Sequence, residues 1–131
     1  MGFEILNFFL TFSHIVIILI ISFGWIWRKS HNVYVICNLC AFFSWFILGY
    51  FKGFGYCLLT DIQWNFLMNR GESNLPETFL EYFFNILKIN INTIDFPEVV
   101  NYFKFFIIVT FVFRLGYLYL INKGNQPDIT T

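Results

Sequence analysis

The sequence predicts an all-α fold: an integral membrane helical bundle of three transmembrane helices, with two shorter helices on its extracytoplasmic side, one of them amphipathic. Three observations predict it. Of the 131 residues, 58% are hydrophobic and only 12% charged, about half the charge of an ordinary soluble domain. With a mean hydropathy of +0.66, a core of this size cannot hide so much apolar surface from water. Three apolar runs each reach the roughly 20 residues a membrane helix needs. Between the second and third runs, three helix-start signatures follow one another.

The first run, residues 8–27 (FFLTFSHIVIILIISFGWIW), has no basic residue before it and no small-residue cleavage pattern after it, so it reads as a retained span rather than a signal peptide. The second, residues 33–51, follows the short link RKSHN and makes a helical hairpin with the first. The third, residues 102–121, carries Lys104 near one end and Arg114 well inside. Trp25, Trp27, Tyr34, Tyr50, Tyr117 and Tyr119 fall near the span ends, where amphipathic rings form an interfacial belt.

Between spans two and three, TDIQ (Thr60 to Gln63) has the form of a capping box. The Thr hydroxyl and Gln amide of such a box satisfy the free N–H groups of a new helix. A short helix over residues 61–70 follows, with Gly71 at its left-handed stop. NLPE (Asn74 to Glu77) repeats the logic for a helix over residues 77–91, and DFPE (Asp95 to Glu98) for the last long helix. The 77–91 segment sets Glu77, Glu81, Asn85, Lys88 and Asn92 on one stripe and aromatic and aliphatic residues on the rest. Its length and charge predict an interfacial helix; a short fourth crossing is the alternative. The tail, residues 124–131, reads as a flexible extension of a single membrane domain, residues 1–123.

Net charge is zero with no basic block, which argues against a nucleic-acid partner. Arg28 and Lys29 lie in the first link and Lys123 follows the last span, whereas the segment from Lys52 to Glu98 has three basic and six acidic residues. The positive-inside rule therefore predicts an extracytoplasmic N-terminus, with the hairpin link and C-terminus in the cytoplasm.

Polar residues inside a bilayer need partners. Asn7, Thr11, His14, Ile18, Ser22 and Trp25 share one face of the first helix, and that face is expected to meet other helices. A single mid-span histidine cannot hold a metal, and no metal site is expected. Cys37 and Cys40 have CxxC spacing but lie inside a span, where Cys37, Ala41 and Ser44 serve better as small packing residues. Arg114 is placed to snorkel to the cytoplasmic interface, to pair inside the bundle, or to meet an anionic lipid head group. Thr60 is explained as a cap and Asp61 as a first-turn carboxylate. Cys57 has no such explanation. It could meet His14 only if the Gly53 to Thr60 segment dips back into the bundle, which Gly53 and Gly55 would allow.

The stretches HIVIILIISFGWIW, FSWFILGYFKGFGYCLLTDIQW and NLPETFLEYFF, in that order, resemble a family of small bacterial integral membrane proteins known only as a domain of unknown function. The family signature is Gly-x-Cys-Pro-Leu-Thr-Asp/Glu, here GYCLLTD, with matches at His14, Gly24, Trp25, Trp45, Gly55, Cys57, Leu59, Thr60, Asp61, Trp64 and Gly71. Leu58 replaces the family's proline, which leaves the backbone there less constrained. The resemblance implies a helical fold in the bacterial inner membrane. It implies no reaction, and no cofactor is indicated.

Two functions of different kind follow, and a third beside them. The leading expectation is an accessory or structural subunit packing against lipid or partner membrane proteins. The alternative is a small membrane enzyme, or a redox or proton-handling protein, using His14, Cys57 and Asp61. Binding of lipid or another hydrophobic ligand is the third. Thr60, Trp64 and Arg114 complete the candidate residues, as a ligand or structural polar cluster.

Overall fold

A computed structural model describes residues 1–53 and 56–124; Phe54, Gly55 and the predicted flexible tail beyond Gly124 lie outside the described residues. Their regular structure is all helical: α1 (Gly2–Phe23), α2 (Arg28–Lys52), α3 (Leu58–Met68), α4 (Phe79–Ile86) and α5 (Phe96–Gly124). Three of them, α1, α2 and α5, are long and apolar enough to cross a membrane. The 29 residues of α5 extend about 43 Å at the usual helical rise, more than the ~30 Å of a hydrocarbon core.

Gly24 sets the corner of the α1–α2 hairpin. A Cβ there would stand 2.5 Å from the Ile20 carbonyl oxygen and 3.0 Å from the Tyr34 ring, so only glycine lets α2 approach this closely. Tyr34, expected among the interfacial aromatics, is instead fully buried. Gly24 makes room for it on one side, and Phe111 of α5 lies 6.0 Å away between ring centroids on another.

The three long helices meet around Ile21, Trp45 and Ile107, with Ile17, Cys37, Ala41, Phe42 and Phe103 packed against them. Cys37 and Ala41 act here as the small residues that admit a neighbouring helix. All three cysteines are free thiols. Over Phe43–Leu48, α2 is wound as a π-helix, a geometry rare in helices and frequent at functional sites. This stretch carries the buried Ser44 and Trp45.

The caps between α2 and α5 differ from those the sequence suggests. Helix α3 begins at Leu58, with Cys57 at its N-cap position, so Thr60 sits inside the first turn and caps nothing. The Gln63 amide is drawn to partners on α1 instead (below). Helix α4 is capped by Thr78, whose hydroxyl accepts from the Glu81 N–H at 3.2 Å, and not by Asn74. Lys88 takes a left-handed φ of +55° just beyond it. With eight residues, α4 is about 12 Å long, too short to cross a bilayer. Two signatures operate as expected: Gly71 has φ +89° after α3, and the Asp95 carboxylate accepts from the Glu98 N–H at 3.2 Å to open α5.

Candidate functional site

After α2 the chain turns at Gly53, whose φ of +120° is open only to glycine without strain. Tyr56 and Leu58 then lie alongside α2. The Ser44 hydroxyl donates to the Tyr56 carbonyl at 3.0 Å and accepts from the Leu58 N–H at 2.9 Å. Ser44 lies about 12 Å along the helix from the Lys52 end of α2. The Tyr56 to Leu58 segment is therefore held below the end of the bundle. Leu58 is the first residue of α3, so its N–H has no partner within the helix. Ser44 supplies from across the fold the cap that Cys57, with no side-chain cap bond, does not.

The descent carries Cys57 to His14, where Sγ lies 3.8 Å from the imidazole Nε2. His14 is only 6% exposed. Phe79, the first residue of α4, lies flat on its ring at 3.7 Å between centroids and 16° between planes. The Nδ1 atom on the other side of the ring is buried and finds no hydrogen-bond partner among the described residues. Lys104 of α5 approaches the same region and stands over the Trp45 ring at 5.7 Å.

Asp61 is not part of this pair. Its carboxylate faces Lys52 at 3.7 Å and accepts from Asn65 Nδ2 at 3.1 Å. Lys52 also lies over the Tyr56 ring, and burial pushes the Tyr56 phenol above its usual range. Lys52, Tyr56 and Asp61 thus form a charged cluster on either side of Cys57 in the chain. Trp64 is elsewhere again, its indole donating to the Pro76 carbonyl at 2.8 Å and packing edge-on to Tyr82.

One turn further along the α1 stripe lies a polar knot that sequence reasoning missed. The fully buried Gln63 donates from Nε2 to Asn7 Oδ1 and to Thr11 Oγ1, both at 2.9 Å. Asn7 in turn donates to the Tyr82 hydroxyl at 3.0 Å. These bonds tie α3 and α4 to the face of α1 that the stripe identified. Phe3 stacking on Phe66 at 5.0 Å and the Arg70 guanidinium over Phe3 extend the attachment to the start of α1. The readable signal was the stripe itself; the partner, Gln63, was hidden by its place in an apparent capping box.

Chemically, the arrangement contains a thiol beside an imidazole, and among the described residues no third group orients the imidazole as in activated nucleophiles. Among the described residues, no group of three His, Cys, Asp or Glu side chains could hold a metal ion. The remaining candidate, Arg114, is at the opposite end of the bundle with Arg28 and His31.

The chain belongs to the family described as "Protein of Unknown function (DUF2784)", whose model matches residues 4–117. No curated protein and no solved structure matches it.

Proposed function

We propose that the chain is an accessory or structural component of the bacterial inner membrane, in which the His14–Cys57 contact holds the extracytoplasmic segment in place. One observation carries this reading: the candidate side chains His14, Cys57, Asp61 and Trp64 are each engaged in an internal contact. His14 lies under Phe79, Asp61 faces Lys52, and Trp64 bonds Pro76. What remains outward is apolar: Phe105, Phe106, Val109, Val112 and Phe113 of α5 are all exposed, a surface for lipid or a partner membrane protein.

A thiol–imidazole reaction centre is the second reading, favoured by the 3.8 Å separation. Alkylation of Cys57 by a small maleimide, in protein lacking Cys37 and Cys40, separates the two. The structural role predicts slow modification at neutral pH that His14→Gln does not slow further. It also predicts acceleration of more than about tenfold in Phe79→Ala, equivalent to ~1.4 kcal/mol of lost cover. Rapid modification of the wild-type thiol that collapses in His14→Gln would instead establish an activated nucleophile.

The charge distribution supports an extracytoplasmic N-terminus. Glu4, Asp61, Glu72, Glu77, Glu81, Asp95 and Glu98 gather at the end that carries α3 and α4, where they outnumber Lys52, Arg70 and Lys88, and Arg28, Lys29 and Lys123 lie at the other with no carboxylate of the described residues. A fluorescent protein fused after the last residue is expected to mature in the cytoplasm, and an alkaline phosphatase at the same position to remain inactive. Active phosphatase would invert the topology.

A further inference from the structure

The hairpin end of the bundle holds a second polar feature, far from the His14–Cys57 contact. Arg28 and His31, from the start of α2, face Arg114, Tyr117, Leu118 and Ile121 of α5 across a cleft of about 280 Å³. The Arg114 guanidinium carbon lies 6.0 Å from the Tyr117 ring centre. Arg114 Nε and His31 Nδ1 are both buried, and neither has a hydrogen-bond partner among the described residues.

Charge makes this arrangement unusual. The carboxylates of the described residues lie on α1's first turn, between α2 and α5, or on α5's first turn. None is near the hairpin link. Two guanidinium groups and an imidazole thus converge on one cleft without a counter-charge from those residues. A cation within or beside a bilayer is costly unless it finds an anion or water. Mutual repulsion between Arg28 and Arg114 adds to that cost. The same geometry is favourable once an anion enters, and a planar guanidinium fork matches the oxygens of a phosphate. Leu118 and Ile121 provide apolar wall beside the charged groups, which suits an anion attached to hydrocarbon.

We propose that the Arg28–His31–Arg114 cleft is a binding site for a phosphate ester of net negative charge, its phosphate held by the two arginines and its apolar part lying along Leu118 and Ile121. Two sources share this chemistry, the head group of an anionic phospholipid and a soluble phosphate ester. The inference is independent of the accessory role proposed above.

The test is native mass spectrometry of the full chain, released from detergent micelles doped with phosphatidylglycerol, with phosphatidylcholine, or with glycerol 3-phosphate alone. The wild-type chain is expected to retain phosphatidylglycerol in preference to phosphatidylcholine. Arg114→Gln and Arg28→Gln should each weaken retention about ten- to a hundredfold, the loss expected for a charge-assisted hydrogen bond. Retention of glycerol 3-phosphate would extend the site to soluble esters; its failure beside retained phosphatidylglycerol would assign it to lipid. Arg28→Gln lies in the link and leaves α5 intact, so it remains informative should Arg114→Gln fail to fold. Equal retention of both lipids by the wild-type chain, or undiminished retention in Arg28→Gln, overturns the proposal.

Discussion

Ser44→Ala is expected to destabilise the protein by about 2–4 kcal/mol, because it strands two backbone groups with one substitution. Ser44 is the acceptor for the Leu58 N–H and the donor to the Tyr56 carbonyl. Among the described residues neither backbone group makes a backbone hydrogen bond instead. An unpaired buried donor or acceptor costs about 1–3 kcal/mol, while measured interhelical bonds in membranes average only ~0.6 kcal/mol. The larger figure applies here because backbone groups held below the end of the bundle cannot readily turn to water. The expected readouts are a lower thermal midpoint in detergent, unchanged helical circular dichroism from the three long helices, and faster alkylation of Cys57 as its segment loosens. A midpoint equal to wild type would mean that the Tyr56–Leu58 segment is held by something other than Ser44.

The second large effect is expected at Gln63. Gln63→Ala removes two hydrogen bonds of 2.9 Å, to Asn7 and Thr11, and empties a fully buried site. Each bond contributes about 0.6–1.7 kcal/mol in a membrane protein, and truncation of a buried side chain of comparable size adds about 2 kcal/mol or more. A total of about 3–5 kcal/mol is expected in unfolding by denaturing detergent. Gln63→Leu separates the two contributions. It keeps the volume, and it removes the Gln63 Oε1 atom that is buried without a partner among the described residues. It should therefore cost less than half as much as Gln63→Ala. Equal losses in the two variants would show that hydrogen bonding, not packing, holds α3 on α1.

These two residues also mark where the sequence could be read and where it could not. The spans were legible because a bilayer demands long apolar runs, and such runs need no knowledge of partners. The inward face of α1 was legible because Asn7, Thr11 and His14 recur at helical spacing. Even the descent of Cys57 could be posed in advance, from a thiol without a structural reason, a mid-span imidazole and a flexible glycine turn. Ser44 was not legible in the same way. Among Phe43, Trp45 and Phe46 it resembles any small residue that lets helices approach, and its bonds reach a segment that local pattern does not connect to it. Gln63 was misread because TDIQ is a sound local motif that a distant contact overrode: the amide goes to α1, and the helix begins three residues early. Tyr34 failed for the same kind of reason, since its burial depends on Gly24 opposite it. The basic cleft was invisible because His31 and Arg114 are far apart along the chain. Only the packing of α5 on the hairpin brings them together.

The descent of the Tyr56 to Leu58 segment also bears on the order in which the molecule can be made. Its anchors, His14 and Ser44, and those of Gln63, Asn7 and Thr11, all precede α3 in the chain. A nascent chain emerging N-terminus first therefore holds every polar partner of α3 before the third span has been synthesised. The hairpin can insert, the loop can seat in it, and α4 can close over His14 while α5 is still to come. Late arrival of α5 then adds apolar contacts through Ile107 and Phe111 without having to thread past a completed loop. Such an assembly line places the slow, long-range step at the end, where an error would leave the N-terminal half already formed.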